Sequence, residues 1–116
     1  MNNFSNLKPS IRLSIINPKS ESKSVIGPGI VSLCKGISET GSLNAAAKRM
    51  RMAYSKAWRI MRDTEEALDV KLLERNGAHG STLTDDCEKL IDTYDAIASN
   101  LQHQAEVQFS EKLVKL

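Results

Sequence analysis

The chain has 116 residues, of which 41% are hydrophobic and 26% are charged, and its formal net charge is +2. This composition is typical of one folded globular domain. No apolar run approaches the ~20 residues that span a bilayer, and the N-terminus, MNNFSNLKPS, lacks the apolar region of a signal peptide. We therefore expect a cytoplasmic protein with no membrane-bound part.

The sequence shows no arrangement of residues that is typical of an enzyme active site. The two cysteines, Cys34 and Cys87, are far apart and match no metal-binding or redox spacing, so we expect buried free thiols in a reducing cytoplasm. Paired carboxylates such as Asp85 and Asp86 point apart on a helix. No Ser/His/Asp set, phosphate loop or metal cluster is visible. We expect no enzyme activity, no metal and no cofactor, and the sequence shows no small-molecule effector site.

The N-terminal part predicts a flexible start followed by a small hairpin. Residues 1–9 show no periodicity, and we expect them to be flexible. Residues 10–17 are rich in β-branched side chains and partly alternate, which indicates a strand. Residues 24–27 are placed to return antiparallel to it. An irregular arm is the alternative.

The central stretch, residues 42–62, indicates two short helices joined by a tight turn. Before it, Pro28 suits the first turn of a helix of about three turns, and Gly41 suits a left-handed stop. Ser42 lies where an N-cap belongs. Apolar residues at i, i+3, i+4 and i+7 then predict one buried helical face, formed by Leu43, Ala46, Ala47 and Met50.

The second helix of this pair separates an apolar arc from a polar arc. The first half of the polar arc carries Lys56, Arg59 and Arg62, and no acidic residue occurs in residues 40–62. Trp58 lies at the edge of the apolar arc and is expected to belong to the core. A helix with a cationic N-terminal half suits insertion into a phosphate-lined groove of duplex DNA. An ordinary helical hairpin with a solvated charged face is the alternative.

A turn residue and a predicted wing flank this helix. Arg51 occupies the turn before it, where glycine is usual because the chain often needs a positive φ there. That conformation would cost Arg51 ~1 kcal/mol relative to glycine, and a basic side chain near the DNA backbone would be the compensation. Residues 71–75 and 81–84 indicate two strands around the turn-forming residues 76–80, which together form a wing. His79 at its tip has three interpretations: a solvent-exposed loop residue, a DNA contact or, as the least favoured, a metal ligand.

A long helix is predicted after the wing. Thr84 is expected to cap it, and acidic residues follow in its first turn. Its apolar stripe is wider than so small a domain needs, and it repeats in steps of four and three, like a coiled-coil seam. We therefore expect a homodimer, with a helix packed only on its own domain as the alternative. The expected dimer interface consists of Leu90, Tyr94, Ile97 and Leu101.

With these elements in place, the run from Ile37 to Thr84 resembles the N-terminal winged-helix domain of the molybdate-responsive (ModE-type) regulators. Those domains are similar to the DNA-binding heads of LysR-type regulators. The matching stretches are ETGSLNAAAKRM, MAYSKAW, and LLER followed by a glycine-bearing loop and LT. The family's Ser-Tyr-x-x-Ala-Trp motif appears as Ala53-Tyr54-Ser55-Lys56-Ala57-Trp58. The resemblance covers about residues 10–104 and implies DNA binding and dimerisation.

The chain departs from the family pattern at several positions. Ala53 replaces the serine that would cap the recognition helix, Arg51 replaces the turn glycine, and Cys87 replaces a glycine after the Leu-Thr pair. The wing is shorter and carries fewer glycines than usual. The sequence ends before a molybdate-binding domain could begin, so we expect no oxyanion sensing by this chain.

The sequence thus predicts a mainly α fold with small β-hairpins, organised as a flexible N-terminus (1–9), a winged helix-turn-helix domain (10–84) and a dimerisation helix (85–116). The expected function is a sequence-specific, double-stranded DNA-binding transcription regulator that acts as a homodimer. The alternative is a winged-helix protein-interaction module that does not read DNA. Base contacts are expected from Ser55, Lys56 and Arg59, and further DNA contacts from Ser42, Asn44, Lys48, Arg51, Tyr54, Arg75, His79 and Ser81.

Overall fold

The computed structural model describes residues 3–77 and 80–114, which form four α-helices and one two-stranded sheet. The α-helices are α1 (Pro28–Thr40), α2 (Leu43–Arg49), α3 (Tyr54–Leu68) and α4 (Asp85–Phe109), and the strands are β1 (Leu73–Arg75) and β2 (Ser81–Leu83). A 3₁₀ turn, Phe4–Asn6, precedes them, and a π-helical turn, Ser110–Val114, follows α4. The predicted fold class, a winged helix-turn-helix with a long C-terminal helix, is confirmed.

Local chemistry sets the ends of the helices. Pro28 stands in the first turn of α1, where its missing N–H costs nothing. Gly41 ends α1 in the left-handed region, with φ of 75°. Ser42 and Thr84 cap α2 and α4, because each side-chain hydroxyl accepts from the backbone N–H three residues on, at 3.2 and 3.0 Å. All four assignments were predicted from the sequence and are confirmed.

The core lies where α1, α2, α3 and the first half of α4 meet. Small residues allow α1 and α2 to cross closely, since a Cβ added at Gly36 would lie 2.9 Å from the Cβ of Ala46. The apolar arc of α3 is buried, as predicted, at Ala57 and Met61. Thr64 is the buried polar residue of that arc, and its hydroxyl donates to Ile60 O at 2.8 Å, so it is satisfied.

The wing is tied to the helical part of the domain at both of its ends. Ser81 N donates to Gly41 O at 3.0 Å, which joins β2 to the turn between α1 and α2. Glu65 on α3 accepts from Leu72 N and Leu73 N at 2.7 and 3.2 Å, which joins α3 to the start of β1. These bonds hold the wing beside α3.

The segment before α1 is an arm that packs along α4. The side chain of Gln102 accepts from Ile11 N at 2.9 Å and donates to Pro9 O at 2.8 Å. The arm also includes the 3₁₀ turn within residues 3–9. These long-range contacts to α4 leave no periodic pattern in the sequence, and the flexibility expected for residues 1–9 stays a prediction.

The predicted strand pair, residues 10–17 with residues 24–27, is wrong in extent. One antiparallel bridge joins Ile15 and Ile26, whose backbone groups exchange hydrogen bonds of 2.9 and 3.0 Å. The rest of the arm is irregular and is held by side chains; Asn17, for example, donates from its amide to a carbonyl of α3 at 3.1 Å. The alternative of an irregular arm is therefore the better description.

The two cysteines meet in the core, although 53 positions separate them in the sequence. The sulfur of Cys87 on α4 lies 3.7 Å from the sulfur of Cys34 on α1, within hydrogen-bonding distance. Both residues are fully buried and free, as predicted. The contact with Cys87 and burial raise the pKa of the Cys34 thiol, which keeps it protonated at neutral pH.

A substitution in the wing tests its attachment to the turn. Gly80→Ala is expected to lower the free energy of unfolding by well over ~1 kcal/mol, because Gly80 has φ of 92° and the added Cβ would lie 2.2 Å from Gly41 O. Gly77→Ala is the matched control, since Gly77 has φ of 59° but no described atom lies within 4 Å of its added Cβ. Denaturant titrations followed by circular dichroism measure both. Equal losses would contradict the close contact at Gly80.

Candidate nucleic-acid interface

The N-terminal half of α3 presents its polar arc to solvent. Ser55, Lys56 and Arg59 are exposed, while Ala57 and Met61 on the opposite side are buried. Within residues 3–77 and 80–114, neither Lys56 nor Arg59 takes part in an ion pair. The cationic groups of this helix are therefore available to a partner outside the domain.

A cleft of about 450 Å³ opens between the start of α2, the start of α3 and the wing. None of the residues that line it is acidic. Its hydroxyl, amide and guanidinium groups are hydrogen-bond donors suited to an anion. The cleft brings together five of the predicted site residues from separate parts of the sequence: Ser42, Asn44, Tyr54, Arg75 and Ser81.

Of the other predicted site residues, five do not line this cleft and one lies outside the described part of the chain. Lys48 is exposed on α2 and is not among the residues that line the cleft. Arg51 is exposed in the turn after α2 and has φ of 55°, so its predicted left-handed conformation is confirmed. His79 lies outside the described residues.

The first turn of α3 starts without help from a side-chain cap. Ala53 stands at the N-cap position in an extended conformation and makes no capping hydrogen bond. The backbone N–H groups of Tyr54, Ser55 and Lys56 therefore lie at the positive end of the helix dipole without the acceptor that a serine would supply. A phosphate oxygen is the kind of acceptor that such a helix start attracts.

One cluster at the interface was not anticipated from the sequence. The guanidinium carbons of Arg62 and Arg75 lie 5.2 and 5.0 Å from the centroid of the Trp58 ring. Trp58 also packs against the core, in agreement with its expected position. The Trp58–Arg62 spacing of four residues is visible in the sequence, but Arg75 comes from the wing, and its approach depends on the tertiary fold. We call these three residues the Trp58 cluster.

The four residues expected at a dimer interface fall into two groups along α4. Tyr94 is only 5% exposed, and its hydroxyl donates to Leu13 O at 2.8 Å. Leu90 packs partly against the same core. Ile97 and Leu101 are 42% and 40% exposed. Tyr94 therefore belongs to the domain's own core, and of the four expected interface residues only Ile97 and Leu101, in the second half of α4, are exposed.

Metal-binding geometry is absent from residues 3–77 and 80–114, which contain no group of three or more His, Cys, Asp or Glu side chains able to hold an ion. In the same ranges, no helix has both the length and the apolar character needed to cross a bilayer.

A helix pair followed by a two-stranded wing beside the second helix defines a winged helix-turn-helix domain. Residues 32–88 match the family described as bacterial regulatory helix-turn-helix protein, lysR family. The chain is 34% identical over 82 residues to the transcriptional regulator ModE of Haemophilus influenzae, an alignment that covers 67% of this chain and 32% of that protein. It is also 34% identical over 76 residues to ModE of Yersinia pestis, covering 62% and 29% respectively.

A solved structure extends this comparison to the fold. The DNA-binding domain of CbnR in complex with DNA superposes with a TM-score of 0.57 and 25% identity, covering 70% of this chain and 92% of that one. The resemblance to the N-terminal domains of ModE-type regulators and to the DNA-binding heads of LysR-type regulators is thus confirmed in both sequence and fold. The chain spans about a third of the length of the curated relatives it matches, 32% and 29%.

The strained turn offers a stability test. Arg51→Gly is expected to raise the free energy of unfolding by up to ~1 kcal/mol, because glycine tolerates φ of 55° without steric cost. Arg51→Ala removes the same charge and keeps the strain, so its stability should stay within about 0.5 kcal/mol of the parent chain. Urea denaturation measures both variants. A less stable Arg51→Gly protein would show that the turn is not strained.

Proposed function

We propose that this protein is a transcription regulator that recognises specific double-stranded DNA sequences as a homodimer. The observation that carries the proposal is the position of Lys56 and Arg59 on α3, whose first residue lines the donor-rich cleft; both are exposed and form no ion pair within residues 3–77 and 80–114. Tyr54 belongs to both features, since it begins α3 and lines the cleft. The proposed location of such a regulator is the cytoplasm.

In this proposal, α3 enters the major groove and its exposed residues contact base edges. Arg59 has the planar guanidinium that pairs with the O6 and N7 acceptors of guanine. Ser55 and Lys56 lie one turn nearer the helix start, where base contacts of helix-turn-helix proteins concentrate. The buried opposite side of α3 supports this role, because it prevents the helix from rotating its cationic side away from the groove.

The cleft and its surroundings would bind the DNA backbone. The hydroxyl oxygen of Ser42 accepts a hydrogen bond from Ala45 N. Its hydroxyl proton can therefore be donated to a phosphate. Arg75 and Ser81, which face each other in the β1–β2 register, supply donors from the wing. Phosphate contacts of this kind set the orientation of a protein on the duplex and carry no sequence information. The remaining members of the proposed set of backbone contacts are Asn44, Lys48, Arg51, Tyr54 and His79.

The homodimer is proposed from the second half of α4. The 25 residues of this helix span about 37 Å, which carries Ile97 and Leu101 beyond the core. Large apolar side chains exposed on a helix are best covered by a second helix. Two heads related by a twofold axis would place their α3 helices in successive major grooves, ~34 Å apart.

Arg59→Ala tests base recognition. Duplexes selected by the full chain from a random library are compared with scrambled duplexes by fluorescence anisotropy. The variant should lose ~1–3 kcal/mol on the selected sequence and less on the scrambled one. Lys89→Ala removes an exposed cation from α4 and is the matched control. Equal binding of selected and scrambled DNA, with no effect of Arg59→Ala, would refute sequence reading. Salt-insensitive binding to a protein without duplex affinity would instead favour an interaction module.

Leu101→Glu tests the dimer. A carboxylate at this position would be desolvated in the apolar seam, so the variant should shift the chain towards monomer and weaken its binding to two-half-site DNA. Ile16→Glu is the matched control, because Ile16 is an exposed apolar residue of the arm, at 57% exposure. Sedimentation velocity measures the oligomeric state. If Leu101→Glu leaves the state of the parent chain unchanged, the proposed interface is wrong.

A further inference from the structure

We propose that Trp58 is a positioning residue that holds Arg62 of α3 and Arg75 of β1 together as a clamp for the phosphates of one DNA strand. This inference rests on the function proposed above and assigns a role to the Trp58 cluster, which that function does not require. The clamp would lie at the junction of the recognition helix and the wing.

The first argument is the position of Arg75 between two clefts. It lines the cleft that also holds Ser42 and Tyr54. It also lines a second cleft of about 330 Å³, which Trp58 and Arg62 border. Arg75 therefore joins the proposed backbone-binding surface to the side of α3, and whatever orients its side chain also orients that part of the surface.

The second argument is the way in which an aromatic ring holds a guanidinium group. Stacking engages the face of the guanidinium and leaves the N–H donors around its edge free. Those edge donors are the groups that bind phosphate oxygens, often in pairs. A carboxylate partner would instead occupy them. Trp58 can thus order both arginines without competing for the donors that a phosphate needs.

The third argument is the lack of strong competition from nearby acids. Within residues 3–77 and 80–114, Arg75 forms no ion pair, and Arg62 has only a 3.5 Å contact to Glu66 between two exposed side chains. Such exposed pairs are weak. Glu65 also lines the second cleft, but the backbone N–H groups at the start of β1 already engage its carboxylate.

The same contacts explain why Trp58 would act on binding as well as on packing. An arginine side chain on a wing strand ordinarily samples many rotamers and loses that freedom when it binds a phosphate. The ring of Trp58 is held by the core and has few rotamers of its own. Arg75, whose guanidinium carbon lies 5.0 Å from the centroid of this ring, would therefore be ordered before DNA arrives, which lowers the entropic cost of the contact.

Intrinsic fluorescence provides a direct readout, because Trp58 is the sole tryptophan of the 116-residue chain. In the free protein, Arg75→Gln should change the emission of Trp58 by removing a cation from its ring. On titration with selected duplex, the emission of the parent chain should change and saturate at the same concentration as the anisotropy. Emission that is unaffected by both Arg75→Gln and saturating DNA would overturn the inference.

A double-mutant cycle with full-length variants tests the coupling. Trp58→Leu and Arg75→Gln should each weaken duplex binding about two- to fivefold, and each should lower the slope of log affinity against log salt by up to ~0.9, the value of one phosphate contact. The double variant should lose less than the product of the two single losses, because both changes disturb Arg75 and only Trp58→Leu also releases Arg62. Trp58→Phe, which keeps an aromatic face, should recover part of the loss. Lys89→Gln is the charge control and should leave the slope unchanged.

The outcomes separate this inference from the proposed function. A Trp58→Leu protein that binds more weakly but keeps the salt slope of the parent chain would show a purely structural role and overturn the clamp. Losses that multiply in the double variant would overturn it as well. Trp58→Phe keeps the cycle informative if Trp58→Leu fails to fold. If the parent chain itself shows no salt-dependent duplex binding, the proposed function fails, and the clamp fails with it.

Discussion

The hydrogen bond from Ser81 N to Gly41 O is the contact on which the rest of the interface depends. The wing has only three residues in each strand, too few to be stable alone. Its attachment to the α1–α2 turn brings Arg75 and Ser81 next to Ser42, and the cleft exists only because these segments meet. Gly80 makes the approach possible, since any side chain there would collide with the carbonyl that accepts this bond.

Two local sequence preferences, a capping residue before a helix and a glycine at positive φ, are not followed next to the start of α3. α3 starts at an alanine that caps nothing, and the turn before it places Arg51 in a conformation that favours glycine. Both choices cost stability in the isolated domain, and both lie next to the N-terminal end of α3, which is proposed to bind DNA. Asp69, with φ of 54°, is a further exception and lies at the opposite end of this helix. The buried arc of α3 shows no comparable irregularity.

Features set by neighbouring residues were predictable from the sequence, and features set by distant ones were not. The caps at Ser42 and Thr84 and the left-handed residues Gly41 and Arg51 follow from side-chain chemistry within a few positions. Three features join residues from different elements: the Cys34–Cys87 contact, the burial of Tyr94 and the cation–π contact of Arg75 with Trp58. Periodicity identified Tyr94 as apolar-facing but could not tell whether the domain itself or a second copy covers it.

The irregular arm connects α3 with α4 through hydrogen bonds to both helices. Asn17 binds a carbonyl at the end of α3, and Leu13, four residues earlier, accepts from Tyr94 on α4. Gln102 then holds Pro9 and Ile11 farther along the same helix. One short segment thus connects the helix proposed to read DNA with the helix proposed to dimerise. The angle between α3 and α4 is therefore built into a single protomer. Under the proposed function, that angle sets the distance between the two DNA-binding heads of the dimer before any DNA is bound.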